Sequence, residues 1–147
     1  MINLPNECLF KILINLKNYH DLKRYHKTLN SCLLVNRQWC RNAVRLLWSE
    51  IEIHGNKSLL RMCLLALNEE EKALLKPFEI MLPNDPKPLF KYLTYTTVIH
   101  ISSINGGEKW VSHLADYSWS DLAQKIRYSL IKMFLRTSER LKHLTSF

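Results

Sequence analysis

The chain has 147 residues, 47% of them hydrophobic, and a net charge of +8, so it can bury a packed core and is too apolar to stay disordered. Its three glycines argue against a glycine-rich phosphate loop and against a hairpin-dense β protein. The opening Met1-Ile2-Asn3-Leu4-Pro5-Asn6-Glu7 lacks the basic stretch and apolar run of a secretory signal. The most apolar window, Leu59 to Leu67, is interrupted by Arg61 and is too short to span a bilayer.

The expected location is therefore cytoplasmic or nuclear, with no membrane partner. The four cysteines, Cys8, Cys32, Cys40 and Cys63, form no C-x-x-C pair, which suits a reducing compartment. The charge is uneven. Residues 1–48 hold eight Lys or Arg against Glu7 and Asp21, a net of +6, and leave +2 for the rest. A basic surface favours an acidic partner.

In chain order, Leu4, Cys8, Leu9, Ile12, Leu13 and Leu16 recur at helical spacing and predict an amphipathic helix over Pro5–Leu16. Pro5 suits its first turn, where a missing N–H is harmless, and Asn3 lies in the N-cap region. Asn15–Asn30 is polar, basic and rich in Tyr and His. It reads either as a loop or as a second helix over Asp21–Leu29, capped by Asp21. A longer helix is expected over Leu29–Trp48, with Arg37, Arg41 and Arg45 forming a solvated stripe at four-residue spacing. Ile51-Glu52-Ile53 alternates and reads as a very short strand or a turn.

Ser58 is placed as the cap of a helix running through Leu67. Asn68, with Glu71 three residues on, forms a capping-box pattern opening a short helix to Leu75, which Pro77 stops. Phe78–Leu82 is a short apolar segment compatible with a strand. Pro83–Pro88 is a loop, and the β-branched Tyr95–Ser102 is the best strand candidate. Gly106-Gly107 marks a turn and Glu108–Asp116 a helix. A last long helix opens at Ser118 and Asp121, with Leu122, Ile126, Leu130, Met133 and Phe134 on its apolar face. Leu141, Leu144 and Phe147 fit a final strand.

Residues that carry chemistry are sparse. His20 and His26 lie near Cys32 and Cys40, but their spacing matches no zinc pattern. No local signature supports a Cys/His nucleophile, and there is no G-x-S-x-G, P-loop or paired-carboxylate motif. Glu69-Glu70-Glu71 is explained by the first turn of a helix. The Arg37, Arg41, Arg45 stripe can contact phosphates, but any surface helix with an apolar face carries such a stripe. No enzyme activity, cofactor or metal is expected.

The first fifty residues hold the specific pattern. Leu4-Pro5-Asn6-Glu7-Cys8-Leu9 leads to Ile12 and Leu16. Cys32-Leu33-Leu34-Val35-Asn36-Arg37-Gln38-Trp39-Cys40 follows, and then Leu46-Leu47-Trp48. The ordered set resembles the F-box, a family reading L-P-x-E-x-L, an Ile/Leu pair on the same helix, a Leu-rich stretch with V-x-R-x-W, and a closing Leu-Trp. Asn15–Asn30 departs from it, being longer and more basic than the usual connection.

The resemblance implies docking on a Skp-type adaptor, and through it on a cullin. Leu4, Pro5, Leu9, Ile12, Leu16, Leu33, Val35, Trp39, Leu47 and Trp48 would then form the interface or hold it in shape. The stretch around Trp39, with Pro88-Leu89-Phe90 and Leu141-Lys142-His143-Leu144, resembles fungal F-box proteins that continue into leucine-rich-repeat-like units.

The expected fold is mainly α: an F-box at residues 1–53, then an α/β segment at 54–147 resembling the start of a leucine-rich-repeat array. The implied function is recruitment of a substrate protein to a Skp–cullin–F-box ubiquitin ligase, with nucleic acid not the expected partner. The alternative is a non-ligase interaction protein or a nucleic-acid-binding module using the basic helix.

Overall fold

Short polar side chains, Asp21, Asn36, Asn56 and Asn68, start four of the helices by accepting a backbone N–H of the first turn. In the computed structural model, which describes residues 4–54, 56–78, 80, 82–86, 91–103 and 119–146, the chain divides into two compact units, Met1–Glu50 and Ile51–Phe147. The division falls three residues before the expected boundary at residue 53, because Ile51 and Ile53 are buried in the second unit.

The first unit is three helices. α1 spans Asn6–Asn15 with Pro5 at the N-cap. The Pro5 carbonyl accepts the N–H groups of Cys8 and Leu9, each at 3.1 Å, and proline has no N–H to leave unsatisfied there. Asn3 lies outside the described residues. α2 spans Leu22–Cys32, so the segment left open between loop and helix is a helix. The Asp21 carboxylate caps it by accepting the Arg24 N–H at 2.9 Å. α3 spans Arg37–Leu47.

The single helix expected over Leu29–Trp48 is therefore corrected to two. The break is at Asn36, whose side chain accepts the Trp39 N–H at 3.0 Å and restarts the helix after a turn at Leu33–Val35. Asparagine competes well for this cap and poorly for a helix interior. Leu9, Leu13, Tyr25, Leu29, Cys32 and Ala43 form the core, with Leu33, Trp39, Leu46 and Leu47 packed against it.

The second unit combines helices with a small parallel sheet of three strands in the order β1 (Glu50–His54), β2 (Val98–Ser103), β3 (His143–Ser146). β2 and β3 pair in parallel, Ile99 facing Leu144 and His100 facing Thr145. Alternation decides which side is covered: Ile51, Ile53, Ile99 and Ile101 are buried, while Glu52, Val98 and His100 are not.

α4 (Lys57–Leu65) is capped by Asn56, not Ser58, through the Leu59 N–H at 3.1 Å. α5 (Glu69–Ala73) carries the expected capping box: Asn68 accepts the Glu71 N–H at 2.9 Å, and Glu71 reaches back to the Asn68 N–H at 2.8 Å. Pro77 sits within a 3₁₀ turn, Lys76–Phe78. Among the described residues of Phe78–Leu82 there is no strand, Phe78 belonging to that turn. A second 3₁₀ turn, Tyr92–Tyr95, precedes β2. Gly106-Gly107, the helix expected over Glu108–Asp116, and Ser118 lie outside the described residues.

α6 (Trp119–Thr137) buries Leu122, Ile126, Leu130, Met133 and Phe134, the apolar face read from the sequence. It is tied to α5 through Glu71. Arg136 donates from Nε and Nη2 to the two Glu71 carboxylate oxygens, both at 2.9 Å, and from Nη2 to the Ala66 carbonyl at 3.0 Å. Ser129 donates to the Glu71 carbonyl at 3.0 Å.

Candidate docking surface

A three-helix unit of fifty residues cannot enclose all of its large side chains, and the first unit leaves many outside. Eight of the ten exposed large hydrophobic residues among the described ones belong to it: Leu4, Ile12, Ile14, Leu16, Tyr19, Leu22, Leu34 and Val35. Single exposed leucines are ordinary, but this density on one small module is not.

The sequence-expected residues divide by depth. Leu4, Pro5, Ile12, Leu16 and Val35 are exposed and available to a partner. Leu33, Trp39, Leu47 and Trp48 are half-buried; the first three pack against the core. Leu9 is fully buried, so it holds the surface in shape and is not part of it.

Leu34 is 89% exposed and was not singled out from the sequence, because an uninterrupted helix gives no reason for that residue to stand out. The signal was the Asn36 cap, which turns Leu34 and Val35 into the corner between α2 and α3. Ile14 and Leu22 were missed for a related reason. Each continues an apolar spacing whose inner positions the core has already filled.

Two amides fix the N-terminal end of this surface. Gln38 Nε2 donates to the Leu4 carbonyl and to Asn6 Oδ1 at 3.1 Å, and Asn42 Nδ2 donates to the Gln38 carbonyl at 2.9 Å. Asn42 is itself buried. These bonds set Leu4 and Pro5 against α3 through directional contacts, which apolar packing alone does not supply. The sequence hint was a polar i, i+4 pair on the inner side of α3.

The titratable groups of the core stay neutral. Burial, then the neighbouring Cys32 and Tyr19, raises the Tyr25 hydroxyl above its usual range, and burial raises the Cys32 thiol. Opposite the buried Asn42 and Ala43, α3 turns Arg37, Arg41 and Arg45 outward. The solvent side of α3 is thus strongly basic.

All four cysteines are free. Among the described residues no group of His, Cys, Asp or Glu is placed to hold a metal ion, and no helix is long and apolar enough to cross a membrane. Comparison with protein-family models, with curated proteins and with solved structures finds no match for the chain.

Proposed function

We propose that the first unit is an F-box-like docking module and that the chain recruits substrate proteins to a Skp–cullin–F-box ubiquitin ligase. The observation that carries this reading is the crowding of exposed apolar side chains on the first unit, from Leu4 on one side of the motif to Leu34 and Val35 on the other. Helices of a partner supply the burial that the module lacks. Leu4, Ile12, Leu16, Leu34 and Val35 are the contacts, and Leu9, Trp39 and Leu47 keep them in register. The outward Arg37, Arg41 and Arg45 suit an acidic adaptor and speed encounter with it.

The second unit supports the substrate-receptor half of the reading. Its strands lie in chain order in a parallel sheet, and β2 and β3 are separated along the chain by α6, the layout of a leucine-rich-repeat-like unit. Tyr128 and Leu135 on α6 are exposed, and in a repeat array a neighbouring helix would cover such positions. Ubiquitin transfer itself falls to other subunits, and this chain supplies no catalytic residue.

A pull-down of purified Skp-type adaptor tests the proposal, using the wild-type chain and Leu34→Asp/Val35→Asp. The variant keeps its helices because both positions are exposed, and it should lose the adaptor. A folded wild-type chain that captures no adaptor refutes the reading.

A further inference from the structure

Proline at the start of α1 fixes the helix but not the residue before it. The Pro5 carbonyl accepts the Cys8 and Leu9 N–H groups, each at 3.1 Å, so Pro5 is held by the backbone of α1. No side chain caps that end. Leu4 lies outside the helix, and a residue preceding proline is disfavoured from helical geometry. Its exposed side chain is therefore not placed by α1. Among the described residues, the one hydrogen-bond partner of Leu4 is on another helix. It is Gln38 Nε2 of α3, 34 residues along the chain.

The direction of that bond is settled by its neighbours. Backbone carbonyls only accept, so the Gln38 amide must turn its NH₂ to Leu4. For the same reason the Asn42 amide turns its NH₂ to the Gln38 carbonyl, at 2.9 Å. Asn6 Oδ1 then accepts from both amides, from Gln38 at 3.1 Å and from Asn42 at 3.4 Å. Turning either the Gln38 or the Asn42 amide over would set an oxygen against a carbonyl. The buried Asn42 anchors the set, and the half-buried Gln38 extends it to Leu4.

We propose that Gln38 is a positioning residue for docking: it holds the Leu4 main chain and so presents the Leu4 side chain in the geometry the partner binds. The role rests on the docking reading of the first unit and adds the residue that pre-forms its N-terminal contact. Without the bond, Leu4 has to be ordered at the moment of binding, and that cost falls on affinity. Gln, Met and Lys have unbranched side chains and similar helix propensities. Exchanges among them at position 38 therefore separate the bond from the helix that carries it.

The test is titration of purified Skp-type adaptor against the whole chain and its variants, with a melting curve for each. A hydrogen bond is worth a factor of about two to ten in an equilibrium constant. Gln38→Met loses the donor and should bind about five- to tenfold more weakly while melting close to wild type. Gln38→Lys keeps an N–H donor of comparable reach and should bind within about twofold of wild type. Leu4→Ala removes the side chain being presented. In that background Gln38→Met should cost no more than about twofold, because Gln38 acts through Leu4. The cost of a merely structural role would persist with Leu4 trimmed, and Lys would not restore it.

Losses that multiply in the Leu4→Ala/Gln38→Met double variant overturn the assignment and leave the docking reading standing. So does a Gln38→Met variant that binds as wild type, or a Gln38→Lys variant that binds as weakly as Gln38→Met. A Gln38→Met variant that melts well below wild type makes Gln38 a structural residue and also overturns it. No capture by the folded wild type defeats the docking reading itself, and the role of Gln38 with it.

Discussion

Glu71 is the polar centre of the second unit, and removing its charge should be costly in a way that depends on pH. The side chain is 4% exposed and Arg136 is 43% exposed. One carboxylate oxygen, Oε1, accepts Arg136 Nε. The other, Oε2, accepts both Arg136 Nη2 and the Asn68 N–H. In Glu71→Gln one of these oxygens becomes an NH₂, and at least one donor is left facing another donor. Breaking a fully buried pair costs about 3–5 kcal/mol. The half-exposed guanidinium recovers some hydration, so about 2–3 kcal/mol is expected here.

Burial alone pushes the Glu71 carboxyl up. The hydrogen bonds from Arg136 and the Asn68 N–H, with the charges of Arg136 and Lys132, outweigh it and hold the carboxyl below its ordinary value of 4.5. Its folded-state pKa is thus depressed. The stabilisation is complete above the unfolded value and is lost as pH falls below about 4.5 through the folded value. In Arg136→Met the same carboxylate is buried without its cation, and its pKa moves the other way. That variant should be much less stable than wild type at pH 7, and the gap should narrow toward pH 4.

Urea unfolding followed by circular dichroism measures both effects, as a midpoint lowered by about 1–2 M with unchanged slope. Costs of Glu71→Gln and Arg136→Met that simply add in the double variant would refute the coupling. A Glu71→Gln cost below about 0.5 kcal/mol, the range of ordinary surface substitutions, would refute the burial argument.

The cap that splits the long apolar stretch should be measurable too: Asn36→Ala should lower stability by about 1 kcal/mol, read from the thermal midpoint. Leu29→Ala, at a fully buried position of the small first core, should cost about 2–5 kcal/mol and unfold that unit, seen as loss of its amide protection. Leu34→Asp/Val35→Asp should change stability by less than about 0.5 kcal/mol while abolishing adaptor capture. Burial pushes the Cys63 thiol up to about 12, and it is fully enclosed. It should resist alkylation at pH 8 until the chain is unfolded, while the exposed Cys8 is modified in the native state, as mass spectrometry of peptides would record.

Local signals carried much of the secondary structure. The Asn68/Glu71 spacing gave the capping box, Pro5 placed the start of α1, and the β-branched run before Ser102 gave β2. Five apolar residues on the α6 face were read correctly as core. Where two caps competed, sequence reasoning chose wrongly: Asn56 starts α4 in place of Ser58. Asn36 divided what periodicity joined, because Leu33, Leu34 and Val35 match a helix interior as well as they match a turn. Helical spacing says which residues are apolar, not which of them a neighbouring helix will cover.

The sequence by itself determined the mainly helical character, the basic first unit and the ordered Leu-Pro to Leu-Trp motif, since these depend on residue type and short-range spacing. Only the tertiary structure decided depth. Leu9 became core and Leu34 surface although both belong to the same motif, because three short helices have room for one small interior and must leave the remaining apolar side chains outside. It also decided partnership: nothing in the spacing of Glu71 and Arg136, sixty-five residues apart, foretells that packing α6 against α5 brings them together. Long-range pairing of this kind is settled by which apolar faces meet, and the charges follow the faces.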